Sequence, residues 1–328
     1  MPSSFNSVSK IKIRDNWGKP LIEFISTKLE KKLFYLGLPS SSADDIHSWI
    51  DFLYKIYAFQ CRIYPLASDD NQPRDEVLKL EENLLELERK KKIETFEVFD
   101  GYLEEVLING KDNSTNTKEF KQNEAVSLYN LDFCNQITEP QKFFNENGEE
   151  LFAFKMDALK KLIEYQKIVA SNSTKFILFL TIHSGYKGEA LSDFINNPPN
   201  NSLETYFNRL NKLNKPERKK RILRAFVHEN IRGIFSNFCF NTEFLPTIHY
   251  TGINSYKLLH FTVVGTKLPQ SSGGAVTYQK IESLYGQKFI GIDNEDFLNL
   301  PSEIDETDVS LNPVSVFLNS KTFKRHWQ

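Results

Sequence analysis

The sequence is poor in cysteine and methionine, and it has no long apolar run. Its three cysteines, Cys61, Cys134 and Cys239, are odd in number and far apart, and no CxxC pair occurs. That argues against a disulfide framework or a zinc ribbon and points to a reducing compartment. No apolar stretch approaches the roughly 18–20 residues of a membrane-spanning helix. The opening segment MPSSFNSVSKIKIRDNWGK lacks the apolar centre of a signal peptide. The expectation is a cytoplasmic protein without a membrane partner. An excess of one charge is missing too. The 41 Lys and Arg residues nearly balance 43 Asp and Glu, for a net charge of −2, so contact with nucleic acid would need a local patch. Walker A, HExxH, GxSxG and EF-hand motifs are absent, as is any repeat of fixed period. No metal is expected.

What the sequence does contain is alternation of strand and helix. Leu21, Ile22, Phe24, Ile25 and Leu29 make one helical face over residues 20–33. LFYLGL (33–38) is a short apolar run suited to a buried strand. A helix follows from Ala43, with Ile46, Trp49, Ile50 and Leu53 on one side. Ser41 and Ser42, each three residues before an aspartate, read as its cap. Further strands are expected at 56–64, 94–101, 125–134 and 174–185. Helices are expected at 73–92, 150–170, 203–214 and 216–238, and a polar loop at 109–124. The 73–92 helix carries Val77, Leu80, Leu84 and Leu87 as its buried stripe. Two strands after residue 238 form a closing hairpin, whose Asn254-Ser255 turn would pair His249 with His260.

Continuously apolar strands between amphipathic helices imply a parallel sheet covered on both faces. The expected fold class is therefore α/β: a doubly wound, mostly parallel sheet with helices on both faces and a C-terminal antiparallel hairpin. Residues 1–268 would form this domain, with an N-terminal helix and a core starting near residue 33. Residues 269–328 would form an extension lying on the domain or on a partner.

Residues 18–268 resemble the class I methyltransferases that use S-adenosylmethionine. The resemblance rests on element order and on four strand ends. LGLPSSSAD (36–44) stands where that family has its glycine-rich cofactor loop, which makes Gly37, Pro39, Ser40 and Ser41 the implied cofactor contacts. In YAFQCR, Gln60 or Cys61 stands where an acid usually holds the ribose hydroxyls, and Asp100-Gly101 stands beside the implied adenine site. NLDFC (130–134) occupies the substrate-side position, so Asp132 and Asn130 are the implied catalytic residues. Exchanging a ribose-binding carboxylate for Gln60 gives up ~1.5–3 kcal/mol. Serines cannot adopt φ > 0 as freely as glycine. The implied function is thus a methyltransferase-like protein with an altered S-adenosylmethionine pocket, acting on nucleic acid or protein. The alternative is a non-catalytic scaffold or partner subunit of a multi-protein complex, for which bacterial antiviral defence is an analogy at the level of fold.

Two further features stand apart from the resemblance. His183 ends the fifth strand on the edge where open α/β sheets bind ligands, and it is a candidate base or substrate contact. Lys215, Arg218, Lys219, Lys220, Arg221 and Arg224 crowd the start of a helix. Positive charge there opposes the helix dipole, so phosphates of a nucleic acid or an acidic protein partner are the candidate compensation.

Overall fold

All five residues of β1 (Leu33–Gly37) are buried, as a strand covered on both faces requires. The computed structural model describes residues 7–61, 75–144, 147–185, 188–252, 256–269 and 290–292. β1 lies between β2 (Leu53–Gln60) and β4 (Leu128–Gln136), parallel to both. β3 (Thr95–Asp100) lies beyond β2, and β7 (Lys175–His183) beyond β4, again parallel. β10 (Lys257–Lys267) runs antiparallel to β7. β8 (Phe240–Phe244) and β9 (Ile248–Thr251) pair with β10 over different parts of its length, and β11 (Ile290–Ile292) lies beside β9. The order β11-β9-β10-β7-β4-β1-β2-β3 is that of a doubly wound, mostly parallel sheet with a C-terminal antiparallel pair. This is the α/β class, with its mostly parallel sheet and closing antiparallel strands, that the element order led one to expect.

Alternate residues of each strand feed two buried clusters. Phe34, Leu36, Tyr57, Phe59 and Phe99 face one way, toward α5 (Leu103–Asn109), α6 (Lys155–Val169) and α9 (Lys215–Asn237). Leu33, Tyr35, Ile56 and Ala58 face the other way, toward α2 (Lys19–Leu29), α3 (Asp44–Trp49) and α4 (Glu76–Arg89). In α4 the stripe Val77, Leu80, Leu84 and Leu87 is buried, as its spacing demands. α2 continues from α1 (Val8–Lys12) through a π-helical turn at Ile13–Gly18.

Several local expectations are corrected. The helix after β1 stops at Trp49, a 3₁₀ turn follows, and β2 begins at Leu53 rather than Ile56. Aromatic and apolar density from Leu53 onward favours a strand there. The serines before α3 do not cap its backbone. Ala43 occupies the cap position with φ 52°, and the Ser42 hydroxyl bonds instead to the Asp44 side chain at 2.6 Å. Residues expected to open a helix at 150 form β6 (Glu150–Ala153), which pairs with β5 (Gln141–Phe144) in an inserted hairpin. α5 and α7 (Glu189–Asn196), of seven and eight residues, are too short to show a period. In the closing strands His249 pairs with Leu259 and His260 with Ile248. This shift of one residue puts the two histidines on opposite faces of the sheet.

The polar stretch after α5 is ordered around one carboxylate. Asp112 Oδ1 accepts from the Lys118 N–H at 2.7 Å and the Ser114 hydroxyl at 2.8 Å, while Oδ2 accepts from the Asp100 N–H at 3.2 Å. The loop is thereby fastened to the end of β3. A second buried polar knot joins α6 to β4: Gln166 accepts from Gln122, the Val126 N–H and Tyr129, and donates to the Val126 carbonyl.

Candidate functional site

The carboxyl ends of β1, β4 and β7 meet at one edge, where open α/β sheets place their ligands. A cavity of about 90 Å³ opens there. Its floor comes from Asn130 and Asp132 at the end of β4 and from Thr181 on β7. Leu38, Pro39, Ser40, Asp44 and Asp45 come from the loop after β1 and the first turn of α3, and His260 from β10. The N-terminal segment supplies the roof with Lys10, Ile13, Arg14 and Gly18.

Asp45 organises the β1 side. Its Oδ2 accepts from the Tyr35 hydroxyl at 2.7 Å and from Asn130 Nδ2 at 2.6 Å. Burial raises the pKa of the Asp45 carboxyl above the usual carboxylate value. Burial together with Asp45 raises the Tyr35 phenol well above its ordinary value, so the phenol is a permanent donor. A Cβ added to Gly37 would lie 2.5 Å from the Tyr35 hydroxyl and 2.6 Å from the Asn130 carbonyl oxygen. The space left by this glycine is therefore filled by the protein itself. The serines of the loop are also engaged within it. Ser40 and Ser42 share a contact of 2.9 Å, and both reach Asp44, at 3.3 and 2.6 Å. Ser41 is buried, and its carbonyl accepts from Asn83 of α4 at 2.7 Å.

On the β4 side, Asp132 forms an ion pair with Lys10 of α1. His260 lies behind it, with Nδ1 in contact with the Thr181 hydroxyl at 2.9 Å and Nε2 with Thr262 at 3.4 Å. Burial pushes His260 down to about 4, so the ring is neutral near neutral pH. Trp17 and Trp49 hold the roof in place. Trp17 Nε1 donates to Thr262 at 2.9 Å and Trp49 Nε1 to the Arg14 carbonyl at 3.2 Å.

Of the residues singled out from sequence, the structure brings Asn130, Asp132, Pro39 and Ser40 into this cavity. Gln60, Asp100 and Gly101 lie at the ends of β2 and β3, outside the cavity lining. Gln60 pairs with Asp100, and its carbonyl accepts from the Gly101 N–H at 3.1 Å. The Asp100 main chain is bonded on both sides by the Asp112 loop. The neighbouring Cys61 thiol is pushed up to about 11 by burial, which leaves it protonated and a poor nucleophile at neutral pH. His183 is also outside the cavity lining: its Nδ1 accepts from the Gly185 N–H at 2.9 Å, and its ring packs edge-on against Tyr256.

The basic run is only partly a surface. Lys215 is exposed, whereas Arg218, Lys219, Lys220 and Arg221 are half-buried. Lys220 and Arg221 both pair with Glu217, at 2.8 Å each. Arg224 is 1% exposed, so it belongs to the core side of α9 rather than to a solvent-facing basic face. Among the described residues no group of three or more His, Cys, Asp or Glu side chains could hold a metal ion, and no helix is long and apolar enough to cross a membrane.

Sequence reasoning missed Lys10, Arg14, Tyr35 and Thr181, and it gave Asp45 and His260 other roles. Only the Tyr35-x-Gly37 pair carries a local signal, because residues two apart on a strand share a face.

Residues 10–219 match a family model described as PP_RS20740-like. No curated protein matches the sequence. Among solved structures, the chain is similar to an S-adenosylmethionine-dependent methyltransferase from Methanosarcina mazei. The identity is 9% and the TM-score 0.36, with 75% of this chain and 97% of that one covered. It is also similar to a putative RNA methyltransferase from Pyrococcus horikoshii, at 9% identity and TM-score 0.35, with 77% and 83% covered. A third is a precorrin-6y C5,15-methyltransferase from Geobacter metallireducens, at 8% identity and TM-score 0.31, with 76% and 89% covered.

Proposed function

The chain belongs to the PP_RS20740-like family. We propose that it is a methyltransferase-like protein whose S-adenosylmethionine pocket has been rebuilt and whose work is binding rather than methyl transfer. The observation that carries this reading is the filled space at Gly37. A cofactor loop needs its glycine so that a ligand can approach the backbone. Here the Tyr35 hydroxyl and the Asn130 carbonyl lie within 2.6 Å of the position a Cβ would take. The Ser40 and Ser42 hydroxyls are spent on Asp44, the ribose position holds Gln60, and Asp44 and Asp45 would oppose the carboxylate of a methionine. These residues do not fit S-adenosylmethionine held in the family's usual way. In this reading the protein is a cytoplasmic subunit of a multi-protein complex. Exposed Lys215, with the half-buried Arg218 and Lys219 beside it, is the candidate α9 contact surface for a nucleic acid or an acidic partner.

Calorimetric titration with S-adenosylmethionine and S-adenosylhomocysteine tests it, on the native chain and on Gln60→Glu. The expected result is no binding by the native chain. Micromolar binding overturns the reading. For the α9 surface, a Lys215/Arg218/Lys219 triple alanine variant that keeps nucleic-acid affinity and its salt dependence unchanged removes the phosphate role.

A second reading has one observation in its favour. Asp132 and Asn130 line a cavity at the end of β4, where a methyl-accepting group would sit. It predicts transfer of a labelled methyl group to nucleic acid or protein and loss of that transfer in Asp132→Asn.

A further inference from the structure

The cavity at the sheet edge brings aromatic rings and carboxylates together. Three aromatic rings line it, those of Trp49, Phe179 and Tyr250, together with three carboxylates, those of Asp44, Asp45 and Asp132. Trp49 and Phe179 pack ring to ring at 5.9 Å, and Phe179 packs on His260 at 5.5 Å, so this wall is continuous. The hydrogen bonds to Asp44 come from serine hydroxyls, and those to Asp45 from a phenol and an amide. All of these donors are neutral. The Arg14 guanidinium turns its Nε to Asp15, at 3.0 Å. Carboxylates beside aromatic faces attract cations, by direct charge and through the ring quadrupole, and repel anions.

One cation is already seated there. Lys10 reaches down from α1 to pair with Asp132. α1 itself is weakly anchored: of its five residues only Ser9 is buried, and Val8 is 60% exposed. The firm anchors of the roof come later in the chain, at Trp17 and in α2 through Leu21, Ile22 and Ile25. Lys10 can therefore leave its seat without unpacking the core. A volume of about 90 Å³ is small against the ~300–1,000 Å³ of sites for drug-sized ligands. It suits the end of an alkyl chain rather than a nucleoside.

We propose that this cavity is a binding site for a primary alkylammonium group, carried by a free amine or by a lysine side chain of a partner, and that Lys10 occupies the Asp132 seat until the ligand displaces it. The inference does not rest on the reading of the cofactor loop. The ammonium of the ligand takes over the ion pair with Asp132, and its methylene groups lie against Trp49, Phe179 and Tyr250. Binding lifts Lys10 and shifts the π-helical turn that follows it. The Trp49 indole N–H, bonded to the Arg14 carbonyl of that turn, reports the movement.

The test is a titration of the full chain with butylammonium chloride, followed by the indole N–H signals in ¹H–¹⁵N spectra and by calorimetry. 1-Butanol and sodium butyrate serve as neutral and anionic controls. Butylammonium is expected to move the Trp49 indole signal, and neither control to do so. Lys10→Ala should bind about tenfold tighter or more, because the seat is vacant, and Asp132→Asn should lose at least about tenfold. If Asp132→Asn does not fold, the Lys10→Ala comparison still decides. Two results overturn the proposal: Lys10→Ala binding no tighter than the native chain, or butanol moving the same indole as strongly as the amine. A parallel titration with Nα-acetyl-lysine amide separates the two sources. Tighter binding than butylammonium supports a lysine of a polypeptide, and weaker binding supports a free amine.

Discussion

The Tyr35 hydroxyl donates to the Asp45 carboxylate at 2.7 Å, and Asn130 Nδ2 donates to the same oxygen at 2.6 Å. Three elements, β1, α3 and β4, thus share one half-buried acceptor. Tyr35→Phe removes one donor and leaves Asp45 less well satisfied. The expected cost is ~1–3 kcal/mol, seen as a lower urea midpoint with an unchanged m-value.

Gly37→Ala should be costly for a steric reason. The new methyl group would meet the Tyr35 hydroxyl at 2.5 Å and its ring carbon Cζ at 2.7 Å. Overpacking of this kind costs ~1–3 kcal/mol. Tyr35→Phe should not rescue it, because the ring carbon stays in place. Urea unfolding of the two single variants and the double variant checks this.

Asp112→Ala should release the loop after α5. The carboxylate gathers three backbone N–H groups, from Asp100, Ser114 and Lys118, and the Ser114 hydroxyl. A loss of ~2–4 kcal/mol is expected, since several charge-assisted bonds go together. Hydrogen exchange should rise at Lys118 and Asp100 before it rises in β7. Equal protection in the native chain and the variant would refute the anchoring role.

His260 should make the fold sensitive to acid. Burial holds it at about 4 in the folded chain, against ~6.5 in the unfolded chain. Between these values the unfolded state binds more protons, so stability is full above ~6.5 and falls as pH drops toward 4. The loss reaches ~3 kcal/mol. Asp45 and Glu104 act in the opposite sense, because burial raises their carboxyl pKa values and their share is lost as pH rises. The difference between the native chain and His260→Gln cancels those groups. That difference should narrow from pH 7 to pH 4 in urea unfolding, and a constant difference would count against the assignment.

Much of the fold was legible because its signals are local. The spacing of Val77, Leu80, Leu84 and Leu87 announces α4, and the run from Phe176 to Ile182 announces a strand buried on both faces. The order of these elements carries the fold class. The hairpin β5–β6 was hidden because Phe144 and Phe152 point to solvent, at 58% and 56% exposure, and so resemble helix residues in a short window. The site was half legible. Asn130 and Asp132 follow from their place at a strand end. Lys10 does not, because its contact with Asp132 joins positions far apart in the chain and leaves no mark in spacing. Tyr35 reads as one more core aromatic until its hydroxyl is seen above Gly37.

The bond from Trp17 to Thr262 crosses 245 residues of chain. Synthesis runs from the N-terminus at ~5–20 residues per second. The roof segment therefore exists for tens of seconds before the strand that receives it. During that interval Trp17, Ile13 and the apolar face of α2 have only part of their final packing. Assembly of the domain is thus asymmetric in time: β1 to β4 can pair early, while the cavity closes only after β10 has emerged. Variants that weaken β10 should expose the N-terminal segment to proteolysis first, long before the centre of the sheet is lost.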